Sequence, residues 1–149
     1  MFSDARAVPD NSTVEADICI IGGGVAGITL ALSLAGRSQR VVMLESGGFE
    51  FEPDIQDLSI GDIVGRDYYD LDVSRLRYFG GTSNHWGGCC TLLSPIDFEQ
   101  RPWVPFSGWP IARADLDPYY ERAHELCEIG PVNYDGDYWA ERHDRPMMR

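Results

Sequence analysis

Three glycines, Gly22, Gly24 and Gly27, stand in the order G-x-G-x-x-G, and a glutamate, Glu45, closes the next apolar run. That spacing suits the charged bridge of a dinucleotide. The first glycine permits a tight turn. The second leaves bare backbone for a pyrophosphate to approach, and the third lets a helix pack close to a strand. Val25 and Ala26 fall where such a helix begins, and unpaired amides with a helix dipole behind them attract phosphate. Glu45 can accept hydrogen bonds from ribose hydroxyls, and its charge repels a 2′-phosphate, which disfavours NADP. A lone G-x-G-x-x-G is a weak signal, and a glycine-rich turn without a ligand is the plain alternative. The agreement of strand, turn, helix and acid argues against that alternative. The fingerprint alone does not separate FAD from NAD.

These residues need elements to hold them. Asp17-Ile-Cys-Ile-Ile21 is a short β-branched apolar run of the kind found in buried parallel strands. Val25 to Gly36 is apolar on nearly all sides and reads as a buried helix, with Gly36 as its stop. Val41-Val-Met-Leu44 is a second buried strand, so residues 17–45 form one β-α-β unit. The expected class is α/β: a Rossmann-like βαβ unit with an irregular extension, a C-terminal helix and an incomplete sheet. Residues 1–16 read as a flexible lead-in, 17–132 as a partial nucleotide-binding domain and 133–149 as a polar tail. Residues 49–75 are densely acidic; their spacing fits no EF-hand, and a solvated excursion is the expectation. Cys89 to Leu93 is expected to be a strand, and Trp103 and Trp109 to pack on a neighbouring surface. Asp117 with Pro118 opens a helix through about Glu128, ended by Gly130-Pro131.

Composition excludes several classes. The chain has 149 residues, 44% of them hydrophobic, so a folded domain is expected rather than disorder. A net charge of −12 argues against nucleic acid or an anionic membrane as a bulk partner. Lysine is absent and all basic residues are Arg, which excludes a P-loop and a pyridoxal Schiff base. The four cysteines form no C-x-x-C pair, so neither a zinc ribbon nor a thioredoxin-like site is readable, and no metal site is expected. Cys19 and Cys127 read as buried thiols, and Cys89-Cys90 as adjacent strand thiols facing opposite ways. His124, near Glu121 and Glu125, reads as a solvated helix-surface residue, and His143 as a tail residue. No apolar run approaches the roughly 20 residues of a membrane span. A reducing, cytoplasmic location is the default expectation.

A second glycine-rich segment, Gly80-Gly81-Thr82-Ser83-Asn84-His85-Trp86, adds paired glycines for close backbone approach and short hydrogen-bonding side chains. The set as a whole resembles the N-terminal half of the glucose–methanol–choline (GMC) oxidoreductases. The resemblance rests on Asp17-x-x-Ile-Ile-Gly-Gly-Gly-x-Ala-Gly27, Leu44-Glu-Ser-Gly-Gly48 and Arg77-x-x-Gly-Gly-Thr-Ser83. Arg101-Pro-Trp, Gly108-Trp-Pro-Ile111 and Asp115-Leu-Asp-Pro-Tyr-Tyr120 are similar to the continuation in the sugar-dehydrogenase and pyranose-oxidase-like branch. It covers roughly residues 15–128, in the family's order.

The resemblance implies an FAD-binding Rossmann-like domain and two-electron oxidation of CH–OH groups in alcohols or sugars. It extends the cofactor set to Ser46, Arg77, Gly80, Gly81, Thr82, Asn84 and His85. His85 aligns with a histidine that carries the flavin covalently in pyranose-oxidase-like relatives, and an imidazole is a suitable nucleophile for that bond. The flanks depart from that pattern, with Thr82 in place of a methionine and Asn84 in place of a threonine. A noncovalent contact or simple packing at His85 therefore stays open. In this family the substrate sheet and the catalytic base, a late histidine with a His or Asn partner, lie further along a longer chain. None of the three histidines here matches that motif, so no catalytic residue is assigned. A truncated product, inactive and poorly stable alone, is expected, or less readily one completed by a partner chain. The competing readings are another FAD- or NAD-dependent oxidoreductase fragment and a non-catalytic nucleotide-binding remnant.

Overall fold

The structure is a computed structural model describing residues 1–143; the end of the polar tail, 144–149, lies outside the described residues. The elements run β1 (Ile18–Ile21), α1 (Val25–Leu34), β2 (Val41–Leu44), and single-turn helices α2 (Pro53–Gln56), α3 (Leu71–Ser74) and α4 (Pro95–Phe98). Two longer helices follow, α5 (Asp117–Cys127) and α6 (Gly136–His143). The chain divides into two compact units, Met1–Gly88 and Cys89–Arg149.

The first unit is built on the β-α-β unit. β1 and β2 are parallel and in register from Ile18 opposite Val41 to Ile21 opposite Leu44. Their open ends are tied by the Asp17 amide to the Arg40 carbonyl (2.9 Å) and the Arg40 amide to the Asp17 carboxylate (2.7 Å). α1 stops at Ala35, after which Gly36 adopts φ +78°, a left-handed end that glycine enters without strain. Beyond β2 the chain is irregular. Phe2, Phe49 and Phe79 form an aromatic trio with ring centroids 4.8–5.7 Å apart, and Arg6 pairs with Glu52 at 2.8 Å.

The fold is α/β, with a two-stranded sheet that is visibly incomplete. Among the described residues Ile20 is the one buried apolar side chain. The expectation of a buried α1 is corrected: none of its residues is buried, and Val25, Leu30 and Leu32 are exposed. The reason is supply of partners. A helix apolar all round needs packing on every side, and two strands cover one side only. Ile21 and Leu44 are exposed on the same account, and Cys19, expected to be buried, lies on the uncovered sheet face.

In the second unit, the Ser94 amide just before α4 donates to the Asp97 carboxylate at 2.8 Å. α5 carries Pro118 in its first turn and ends at Glu128, whose φ of 54° is left-handed. Four expectations are corrected here. Residues 89–93 form no strand, because among the described residues no neighbouring strand is present to pair with them. Cys127 is exposed in the last turn of α5. Trp103 and Trp109 are 75% and 60% exposed, in a proline-rich stretch with no packed surface beneath them. His124 is buried rather than solvated: its ring nitrogens bond the Gly130 carbonyl and the Tyr134 hydroxyl, both at 2.9 Å. Those partners lie beyond the helix end, so the flanking glutamates misled. The tail beyond residue 133 contains α6, whose Trp139 stacks on His143 and donates to the Asn133 carbonyl.

Candidate functional site

The corner between β1 and α1 is shaped by two glycines. Gly22 sits at φ +101°, a backbone conformation that side-chain-bearing residues rarely adopt. Gly27 lies so close to the strand end that an added Cβ would fall 2.0 Å from the Gly22 carbonyl oxygen. The chain therefore turns sharply and places the start of α1 directly beyond β1. Gly24 caps α1 without a side chain, so the first-turn amides of Val25, Ala26 and Gly27 receive no side-chain acceptor. In front of Gly24 an added Cβ would meet nothing within 4 Å. Bare backbone, uncapped helix start and open space coincide here.

Glu45 points back at this corner. One carboxylate oxygen accepts from the Gly23 amide at 2.6 Å. The other accepts from the Ser46 amide (2.8 Å), the Ser46 hydroxyl (3.0 Å) and the Gly47 amide (3.2 Å). Partial burial pushes the carboxyl's pKa up, but donation from Gly23, Gly47 and Ser46 outweighs it and holds the group below the ordinary glutamate value. It is a fixed anion at neutral pH. The oxygen facing Gly23 takes a single donor and has capacity for a second, such as a sugar hydroxyl.

The second glycine segment docks against the first. The Gly80 amide donates to the Gly23 carbonyl at 2.8 Å, and Gly24 and Gly80 form an isolated parallel bridge. The Phe79 amide donates to the Gly48 carbonyl at 2.9 Å. Gly47 meets the same segment so closely that an added Cβ would fall 2.0 Å from the Arg77 carbonyl. Gly80 has φ +95° and leads into a turn of 3-10 helix, Gly81–Asn84. The Asn84 amide ties that turn by donating to the Phe79 and Gly81 carbonyls.

The result is an open cleft of about 380 Å³ lined by Ile21, Gly22, Gly24, Val25, Ala26, Gly27, Gly80, Thr82 and Ser83. A family model described as FAD dependent oxidoreductase matches residues 17–127, which spans both glycine segments and α5. The chain belongs to the FAD dependent oxidoreductase family. No curated protein and no solved structure matches it.

Most residues singled out for the flavin converge on this one place. Gly22, Gly24, Val25, Ala26, Gly27, Gly80 and Thr82 line the cleft, Gly81 lies against Gly24, and Glu45 and Ser46 stand behind it. Arg77 contributes backbone; its Nε is buried without a hydrogen-bond partner, and its side chain does not line the cleft. Asn84 is spent on internal bonds. His85 is exposed and lies with Asn84, Trp86 and Gly87 at a separate shallow depression.

Sequence reading missed three contributors. Gly23 looked like filler between fingerprint glycines, yet it alone bonds both Glu45 and Gly80. Gly47 falls inside the Leu44-Glu-Ser-Gly-Gly48 motif with no role of its own readable there, and Gln56 carries no local signal, since its partners lie 16 to 21 residues away in sequence. Among the described residues no group of three His, Cys, Asp or Glu side chains could hold a metal ion, and no helix is long and apolar enough to cross a membrane.

FAD fits the donors present. The uncapped first turn of α1 suits the pyrophosphate and the spare capacity on Glu45 suits the adenosine ribose. The open space at Gly24 is what a phosphate oxygen would need.

Proposed function

We propose that this chain is the FAD-binding portion of a GMC-like oxidoreductase acting on CH–OH groups of alcohols or sugars. The observation that carries the reading is the bond between the two glycine segments, from the Gly80 amide to the Gly23 carbonyl. The glycine fingerprint of the first segment is shared by FAD- and NAD-binding βαβ units. Here the second closes the cleft beside it and adds Thr82 and Ser83 to its wall. The later motifs Arg101-Pro-Trp, Gly108-Trp-Pro-Ile111 and Asp115-Leu-Asp-Pro-Tyr-Tyr120 follow in the order of the sugar-dehydrogenase-like branch.

Bound FAD supplies a two-electron acceptor for the hydride of a carbinol. The residues of this chain bind and orient it. The Val25, Ala26 and Gly27 amides would receive the pyrophosphate, and Glu45 would accept from the ribose. Oxidising a carbinol also needs a base for the hydroxyl proton. No cleft-lining residue has a side chain that could serve. In this reading the base and the alcohol or sugar pocket come from further polypeptide, continuous with this chain or supplied by a partner chain.

Two experiments test the proposal. Titration of the purified chain with FAD, NAD and NADP should give saturable binding of FAD and none of NADP. Binding of NAD without FAD overturns the cofactor assignment. Sequencing the coding DNA on both sides tests the donor class. A frame that carries a late histidine with a His or Asn partner supports CH–OH oxidation, and a complete frame without one overturns it.

A further inference from the structure

We propose that Gln56, a residue outside the cleft, positions the second glycine segment and thereby sets the affinity for FAD. The inference rests on the FAD reading above and adds a residue to it. Gln56 ends α2 and is 6% exposed, the one buried polar side chain among the described residues of the first unit. Its amide nitrogen donates to the Asp72 carbonyl (2.6 Å) and the Arg75 carbonyl (2.5 Å), and its amide oxygen accepts from the Arg77 amide (3.0 Å). Two carbonyls on one side and an N–H on the other fix which end of the amide is which. Both N–H groups are used, and so is the oxygen.

What this side chain holds leads directly to the site. From Arg77 the chain passes Gly47, donates to Gly48 through Phe79, and reaches the Gly23 carbonyl through Gly80. The stretch before it has little of its own to hold it: residues 60–71 are exposed throughout. Among the described residues the start of the segment has a further side-chain tie across it, from the Leu76 amide to the Thr82 hydroxyl at 3.2 Å. Three bonds from one buried amide thus determine where the run toward Gly80 begins. A displaced run moves Gly80, Thr82 and Ser83, which form one wall of the cleft.

Two isosteric variants of the full chain separate positioning from simple stability. Gln56→Glu replaces the two donors with lone pairs that face the Asp72 and Arg75 carbonyls, and Gln56→Met removes all three bonds while filling similar volume. Calorimetric titration with FAD reads dissociation constant and stoichiometry together. Amide hydrogen exchange reads Phe79 and Gly80 against Ile20. A positioning role predicts unchanged stoichiometry, binding weaker by roughly 10- to 100-fold, and faster exchange at Phe79 and Gly80 alone. Reduced stoichiometry at an unchanged dissociation constant overturns it, since that marks loss of folded protein only. Unchanged binding in both variants also overturns it. Should Gln56→Glu lose its circular dichroism, Gln56→Met decides. Failure of the unaltered chain to bind FAD overturns the FAD reading itself and this inference with it.

Discussion

The two glycine segments of the cleft are built by different physics. The first, Gly22 to Gly27, is clamped between regular elements: β1 enters it, α1 leaves it, and the helix approach leaves no room for a side chain at Gly27. The second, Gly80 to Asn84, has no strand before it and no helix after it. It is held by distant groups, namely Gly23, Gly48 and Gln56, together with its own Asn84. A dinucleotide corner can therefore be encoded locally, whereas the wall that completes it depends on contacts scattered over the unit. The difference predicts that the same class of substitution costs most where the surroundings are rigid.

The largest effect belongs to the corner. Gly27→Ala places a Cβ 2.0 Å from the Gly22 carbonyl, a distance that only backbone movement can relieve. Strand and helix both resist it, so the expected loss is about 3 kcal/mol of stability, the upper end for overpacking, together with loss of FAD binding. Chemical denaturation and flavin titration measure the two. Gly61→Ala, where nothing lies within 4 Å and φ is ordinary, serves as the neutral control.

Gly47→Ala makes the sharper comparison. Its added Cβ also falls 2.0 Å from a carbonyl, that of Arg77, but the carbonyl belongs to an irregular run. That run can yield by moving away from the corner. The expected stability loss is smaller, about 1–2 kcal/mol, while FAD binding still weakens at least about tenfold because Gly80 moves with Arg77. Equal stability losses at Gly27 and Gly47 would show that the second segment is as rigid as the first.

The same contrast explains what was legible in the sequence. Ile18–Ile21, Val25–Leu34, Val41–Leu44 and Glu45 announce themselves through apolar runs, glycine spacing and an acid at the strand end. All of these are local signals. Gln56 sits in an acidic stretch that looks merely solvated, and its three partners are 16 to 21 residues away. His124 was misread for the same reason, since the groups that bury its ring come 6 and 10 residues later. Apolar pattern also overstates burial: it records what α1 and Cys19 would bury against a full sheet, and two strands supply only part of one.

Glu45 joins the two regions electrostatically, and its effect is intermediate. Glu45→Gln keeps the shape, but an amide cannot accept from Gly23 at one end and from Ser46 and Gly47 at the other. The expected loss is about 1 kcal/mol at neutral pH, discounted for solvent exposure, with FAD binding weaker by roughly tenfold. The carboxyl titrates below its ordinary range in the folded chain. Its contribution is therefore complete above the ordinary glutamate pKa and fades as pH falls through the lower folded value. The stability difference between the chain and Glu45→Gln should shrink on acidification below about pH 4 and stay flat above about pH 6, as denaturation at stepped pH would reveal. A difference that grows on acidification would mean that the carboxylate is not held by these donors.

The smallest effect is expected at His85. It closes the 3-10 turn of the second segment, is exposed, and is followed by irregular backbone from residue 86 to 94. A side chain so placed is poorly preorganised to form a bond to a flavin, because nucleophilic attack requires an imidazole fixed in position and tautomer by neighbours. His85→Ala should leave stability within about 0.5 kcal/mol, as for exposed sites away from packed groups. Acid precipitation of the FAD-loaded chain should release all of the yellow colour from both proteins. Colour that stays with the unaltered chain and leaves His85→Ala would establish the covalent link. It would also reverse the comparison, since the loosely held segment would then hold the cofactor more firmly than the corner does.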